Sequence, residues 1–102
     1  MSCCVGFDAS KQIIEDIVKT YHARDYKIFV AHRYATEGIT YKVQVGVVVK
    51  PDVEKNTQMF EDFMKLHARS DACIKVLRSD INFRDERLVD LFILEIESGV
   101  EL

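Results

Sequence analysis

The sequence predicts an α+β protein, a two-layer sandwich in which a four-stranded antiparallel sheet carries two helices on one face. Three observations lead there. Two segments place apolar residues at helical spacing, four segments read as strands, and the stretch holding the first helix recurs 46 residues later. Ile14-Glu15-Asp16-Ile17-Val18-Lys19-Thr20-Tyr21-His22-Ala23-Arg24-Asp25 is answered by Phe60-Glu61-Asp62-Phe63-Met64-Lys65-Leu66-His67-Ala68-Arg69-Ser70-Asp71. The offset is 46, then 45, then 46, so one gap and one compensating insertion are needed. Glu-Asp, Lys, His-Ala-Arg and Asp recur, and the apolar positions between them stay apolar. A repeat fixes the building unit. Here the unit is helix-strand-strand, with pseudo-repeats at about 9–50 and 53–98 inside a single domain of 1–102.

The first helix is expected over about 10–24, capped by Asp8 or Ser10, whose side-chain oxygens can accept from a free backbone N–H. Ile13, Ile14, Ile17, Val18 and Tyr21 form its apolar stripe. Lys27 to Tyr34 reads as the first strand, and Ala35-Thr36-Glu37-Gly38 as a turn in which Gly38 can take positive φ. From Ile39 to Val49 the alternation is clean: Tyr41, Val43, Val45, Val47 and Val49 share one face, while Lys42, Gln44, Gly46, Val48 and Lys50 share the other. Lys50-Pro51-Asp52 ends that strand, and Asp52 caps a second helix over about 53–69. Its stripe is Met59, Phe60, Phe63, Met64 and His67. Ala72 to Leu77 is the third strand, Ser79 to Glu86 a polar connection, and Leu88 to Glu97 the fourth strand.

This order is the ferredoxin-like one moved round by one strand, and packing both helices on one face leaves the other face of the sheet uncovered. The fourth strand decides what that face looks like. Leu88, Asp90, Phe92, Leu94 and Ile96 point one way, and Val89, Leu91, Ile93, Glu95 and Glu97 the other. Both sets are largely apolar, so whichever meets the helices, the other turns large apolar groups towards solvent. Such a patch usually marks an interaction surface, the alternative being that the C-terminal tail or the 79–86 connection folds over it. At about 25 cal/mol per Å², several hundred Å² of it represents several kcal/mol of binding drive. Val89, Leu91 and Ile93, with Ile81 and Phe83 nearby, are the candidate interaction residues, and a homodimer is the simplest use. A fourth strand at the sheet edge, pairing with a partner strand, is the other arrangement.

Composition bounds the rest. A chain of 102 residues, 48% hydrophobic and 30% charged, holds one core without staples. The net charge is −3, without a basic cluster, so nucleic acid is not an expected partner. Three cysteines cannot all pair within the chain, which fits a reducing compartment. No signal-peptide pattern or membrane-length apolar run is present, and the expected location is the cytoplasm.

No catalytic constellation is found. His22 and His67 fall at matching helix ends, where a ring complements the negative helix terminus. No Cys-x-x-Cys or His-x-x-x-His spacing supports a metal site. Cys73 beside His32 on a neighbouring strand is the one conceivable nucleophile pair, but a strand cysteine behaves first as a small buried hydrophobe. Glu15-Asp16 and Glu61-Asp62 read as solvated helix faces. The four glycines, at positions 6, 38, 46 and 99, make no phosphate loop. No cofactor, metal or enzymatic activity is therefore expected.

The hairpin Tyr34-Ala35-Thr36-Glu37-Gly38, followed by Tyr41 and the alternating Val43, Val45 and Val47, resembles the stefins over about 40 residues. Stefins are small intracellular cystatin-type inhibitors of papain-like proteases, and they carry Gln-x-Val-x-Gly in that hairpin. Gly38 and Tyr41 fit; the Gln and the Val are missing, and a second helix follows Lys50 where stefins have none. The resemblance implies insertion of the 34–39 hairpin or the N-terminal segment into an enzyme cleft. The functional expectation is thus a small, non-catalytic regulatory module that binds protein, itself first. A protein inhibitor of an enzyme and a small-ligand sensor at a dimer groove are the alternatives, the last by fold analogy alone.

Overall fold

In the computed structural model, residues 7–35, 41–68, 74–81 and 89–98 are described. The chain runs α1 (Phe7–His22), β1 (Tyr26–Ala35), β2 (Tyr41–Val49), α2 (Val53–Ala68), β3 (Ile74–Asp80) and β4 (Asp90–Ser98). The four strands form one antiparallel sheet in the order β1-β2-β4-β3. β4 is thus a central strand, which overturns the edge arrangement. Its two apolar faces give the reason: a strand that can bury both sides gains most between two neighbours.

The inner faces of β2 and β4 carry the core. Val43, Val45, Val47 and Val49 alternate inward on β2, and Phe92, Leu94 and Ile96 on β4, all buried. α1 adds Ile14 and Val18, and α2 adds Met59, Phe63 and Leu66. Phe63 meets Phe92 edge to face, with ring centroids 5.6 Å apart. α1 packs on β1 and β4, and α2 on β3 and α1.

Several expectations are corrected. α1 starts at Phe7 because Phe7 itself packs against the core and carries the stripe back by a turn. Asp8 and Ser10 therefore lie inside the helix and do not cap it, and Ser10 is fully buried with no partner for its hydroxyl among the described residues. In α2 the inward stripe is Asn56, Met59, Phe63 and Leu66, while Met64 is 41% exposed. Asp52 does cap this helix, accepting from the N–H of Lys55 at 3.0 Å. β3 runs on through Ser79 and Asp80, residues expected in a connection. A bulge explains the miss. The register slips between Val76 and Arg78, leaving Leu77 over and breaking the alternation that the sequence would otherwise display. β1 has the same device, with Ala31 left over between Val30 and His32.

α1 ends where Ala23 takes φ 50°, a left-handed conformation that a Cβ disfavours. The reversal lets the N–H of Asp25 reach the carbonyl of His22 at 2.8 Å and starts β1 at once. Two tyrosines then tie the elements together. The Tyr26 hydroxyl donates to Glu15 Oε2 at 2.7 Å, and the Tyr21 hydroxyl to Asp62 Oδ2 at 2.5 Å. Glu15 and Asp62 are therefore half-buried acceptors, not members of solvated faces. The Asp62 carboxylate first, and burial second, push the Tyr21 hydroxyl up to about 12.

Two outcomes follow from these contacts. Ala23→Gly removes the Cβ penalty and is expected to gain about 0.5–1 kcal/mol in urea denaturation. For Tyr21, the unfolded chain releases its proton near pH 10.0 while the folded chain keeps it to about 12, so stability falls as pH rises across that window. Tyr21→Phe is expected to flatten that fall when denaturation is repeated at rising pH.

Candidate functional site

Among the described residues, no helix or strand covers the face of the sheet turned away from α1 and α2. Register places its residues in rows across the four strands. Phe29, Gly46, Ile93 and Arg78 form one row, and Lys27, Val48, Leu91 and Asp80 the next. His32, Gln44, Glu95 and Lys75 make a third, with Tyr34, Lys42 and Glu97 beyond it. The bulge at Leu77 sets that side chain, 47% exposed, beside Arg78 opposite Ile93.

The apolar groups run in one band. Phe29 crosses Gly46: a Cβ at position 46 would lie 2.7 Å from Cε1 and 2.8 Å from Cε2 of its ring. Glycine here makes room for an aromatic lid over the centre of the sheet, leaving Phe29 45% exposed. Val48, Leu91 and Ile93 are half-buried beside it, and Val89 is 44% exposed at the end of β4. Of the five residues expected to carry binding, Val89, Leu91 and Ile93 do stand on this face. Ile81 does not, because it follows Asp80 on the alternate side of the strand and packs against the core. Phe83 lies outside the described residues. Phe29 and Leu77 were not anticipated, since the bulges in β1 and β3 hide which way they turn.

A polar end closes the band. The Tyr34 hydroxyl donates to Glu95 Oε2 at 2.5 Å, and that contact raises the tyrosine above its ordinary range. Lys42 Nζ lies 3.9 Å from Glu95 and 3.8 Å from Glu97. Glu95 is 7% exposed, held by groups that satisfy it. On β3, Arg78 Nε meets Asp80 Oδ2 at 2.8 Å. The ring of His32 lies 5.1 Å from that of Tyr34, so His32 is a surface residue of this face.

A second polar group is buried where the helices meet the sheet. His22 Nε2 lies 2.6 Å from Asn56 Oδ1, and Asn56 Nδ2 donates to Asp90 Oδ2 at 2.6 Å and to the carbonyl of Lys50 at 3.0 Å. His22, expected as a ring complementing the helix end, is instead 8% exposed and bonded into the interior. Asp90 alternates with Phe92, Leu94 and Ile96, and that alternation was the signal for a buried carboxylate in need of partners.

Among the described residues no group of three His, Cys, Asp or Glu side chains stands ready to hold a metal. No helix of the described part is long and apolar enough to cross a membrane. Cys3, Cys4, Cys73 and the hairpin tip at Gly38 lie outside the described residues, as does the side chain of His67. No family model, curated protein or solved structure matches the chain.

Gly46→Ala tests the aromatic lid. The added methyl must displace the Phe29 ring, whose exposed end can swing away, so stability should change by less than about 1 kcal/mol. The ring's NMR contacts to position 46 should be lost.

Proposed function

We propose that this protein is a non-catalytic interaction module that pairs through the open face of its sheet, with a second copy of the chain as partner. The observation that carries this reading is the apolar band of Phe29, Val48, Leu77, Val89, Leu91 and Ile93 on a sheet face that neither described helix covers. An apolar band with a polar border is the pattern of a protein contact surface, with fully buried groups at its centre and solvated groups round it.

Two features favour a face-to-face pair. Both edge strands are interrupted, at Ala31 and at Leu77, and a bulged edge makes a poor template for an added strand. The described charges of the face are mixed: Lys27, Lys42, Lys75 and Arg78 stand with Asp80, Glu95 and Glu97. Two copies of a face with both signs meet without a large like-charge penalty, which is what a self-complementary twofold contact requires. Three cysteines in a chain that needs no staple suit a reducing, cytoplasmic setting.

Light scattering in reducing buffer at two concentrations should give a dimer mass. Leu91→Asp and, separately, Val89→Asp should return the monomer mass with the circular dichroism of the fold retained. Val89 is exposed, so its substitution cannot act through the core. A monomer at both concentrations, or a dimer indifferent to both substitutions, overturns the reading.

A further inference from the structure

The sheet face that neither described helix covers carries a pattern beyond its apolar band. In each row across the sheet β2 lies beside β4, with β1 and β3 outside them. Consider two copies stacked face to face about a twofold axis that lies between the sheets, parallel to the strands and midway between β2 and β4. That axis exchanges β2 with β4 and β1 with β3, and it keeps every row at its own level. Each residue then faces the residue at the mirrored place in its own row, on the second copy.

The rows match about this axis. On the central strands Val48 meets the partner's Leu91, Gln44 meets the partner's Glu95, and Lys42 meets the partner's Glu97. Apolar falls on apolar, an amide on a carboxylate, a cation on an anion. The Phe29 ring crosses to Gly46, so it meets the partner's Ile93, with the partner's Leu77 beside it. The pairs of β2 with β4 are also cross-strand neighbours within one chain, and the fold alone accounts for their match.

The outer strands are different. Lys27 and Asp80 end the same row, on β1 and β3, three strand spacings or about 14 Å apart. They do not touch within one chain, and nothing in the fold requires them to carry opposite charges. Arg78 Nε holds Asp80 Oδ2 at 2.8 Å, which fixes where that charge lies. The axis brings Lys27 against the partner's Asp80 twice, once on each side of the seam. His32 against the partner's Lys75 is the row end without a match. An axis in the same plane but running across the strands would lay β1 on β1 and β3 on β3, and Lys27 would never reach Asp80.

We propose that two copies pair about the axis parallel to the strands, with each Lys27 seated against the partner's Asp80. This axis presupposes pairing through the open face and adds which residue meets which.

The test is the dissociation constant, by analytical ultracentrifugation at low salt, of the wild-type chain, Lys27→Glu, Asp80→Lys and an equal mixture of the two variants. Each variant alone sets two like-charge contacts across the seam, and its dimer should weaken at least about tenfold. In the mixed pair the introduced glutamate meets the introduced lysine at one contact, and Lys27 meets Asp80 at the other. The mixture should therefore recover the dimer mass where neither variant does alone. Loss of the Arg78 contact in Asp80→Lys is the same in both cases, so it cannot produce the recovery. The weakening should shrink in about 0.5 M salt, where screening is strong. If Asp80→Lys fails to fold, Asp80→Asn mixed with Lys27→Glu still relieves the like-charge contact and should pair more tightly than Lys27→Glu alone. A monomeric wild-type chain overturns pairing through this face and the axis with it. A wild-type dimer whose variants pair as tightly, or a mixture no tighter than the variants alone, overturns the axis and leaves the pairing standing.

Discussion

Burial of the inner faces of β2 and β4 is the interaction on which the rest of the structure leans. Seven side chains, from Val43 to Val49 on one strand and Phe92 to Ile96 on the other, alternate towards the helices and form a single apolar floor. Both strands sit in the middle of the sheet, so each has its backbone groups satisfied on two sides. The helices are laid on that floor, and their amphipathic stripes follow from it. So does the character of the open face. β4 cannot turn Phe92 and Leu94 inward without turning Leu91 and Ile93 outward.

The sheet is also close to symmetric about its own centre. Val45 pairs with Leu94; on the outer sides Val45 pairs with Val30 and Leu94 with Val76. Each of those edge residues is followed by a bulge, at Ala31 and Leu77. The polar interior does not share the symmetry. Asn56 ties His22, Lys50 and Asp90 together, whereas Ser10, at the matching place in α1, has no partner for its hydroxyl among the described residues. A buried amide with every group satisfied holds a unique geometry, and an orphan hydroxyl does not.

The number, type and order of elements were legible because hydrophobic period is a strong signal. Val43 to Val49 alternate without interruption, and Ile14 with Val18 mark a helix face. The open face was legible for a simpler reason, since β4 is apolar at both parities. What the sequence hid has two physical causes. A bulge changes the parity of a strand at one residue, so Phe29 and Leu77 could not be assigned a side. Buried polar residues are specified by partners distant in sequence. Tyr21 with Asp62, and His22 with Asn56 and Asp90, are neighbours only once the helices lie on the sheet. Periodicity describes one element at a time and carries nothing about such pairs.

The position of β4 bears on how the chain is made. It is the last of the four strands to leave the ribosome, and among the described residues it is the only strand neighbour of β3. α1, β1 and β2 can associate as soon as they emerge, because their contacts are local or adjacent. Among the described residues β3 has no strand to pair with until residues 90–98 arrive, and the side of β2 that β4 will take stays unpaired for the same interval. An apolar central strand that is inserted last exposes unpaired backbone beside a half-built core, which is the state most prone to wrong pairing between nascent chains. Variants that slow insertion of β4, even ones that leave the finished fold as stable as before, should therefore lower soluble yield during synthesis, before they alter the melting of the purified protein.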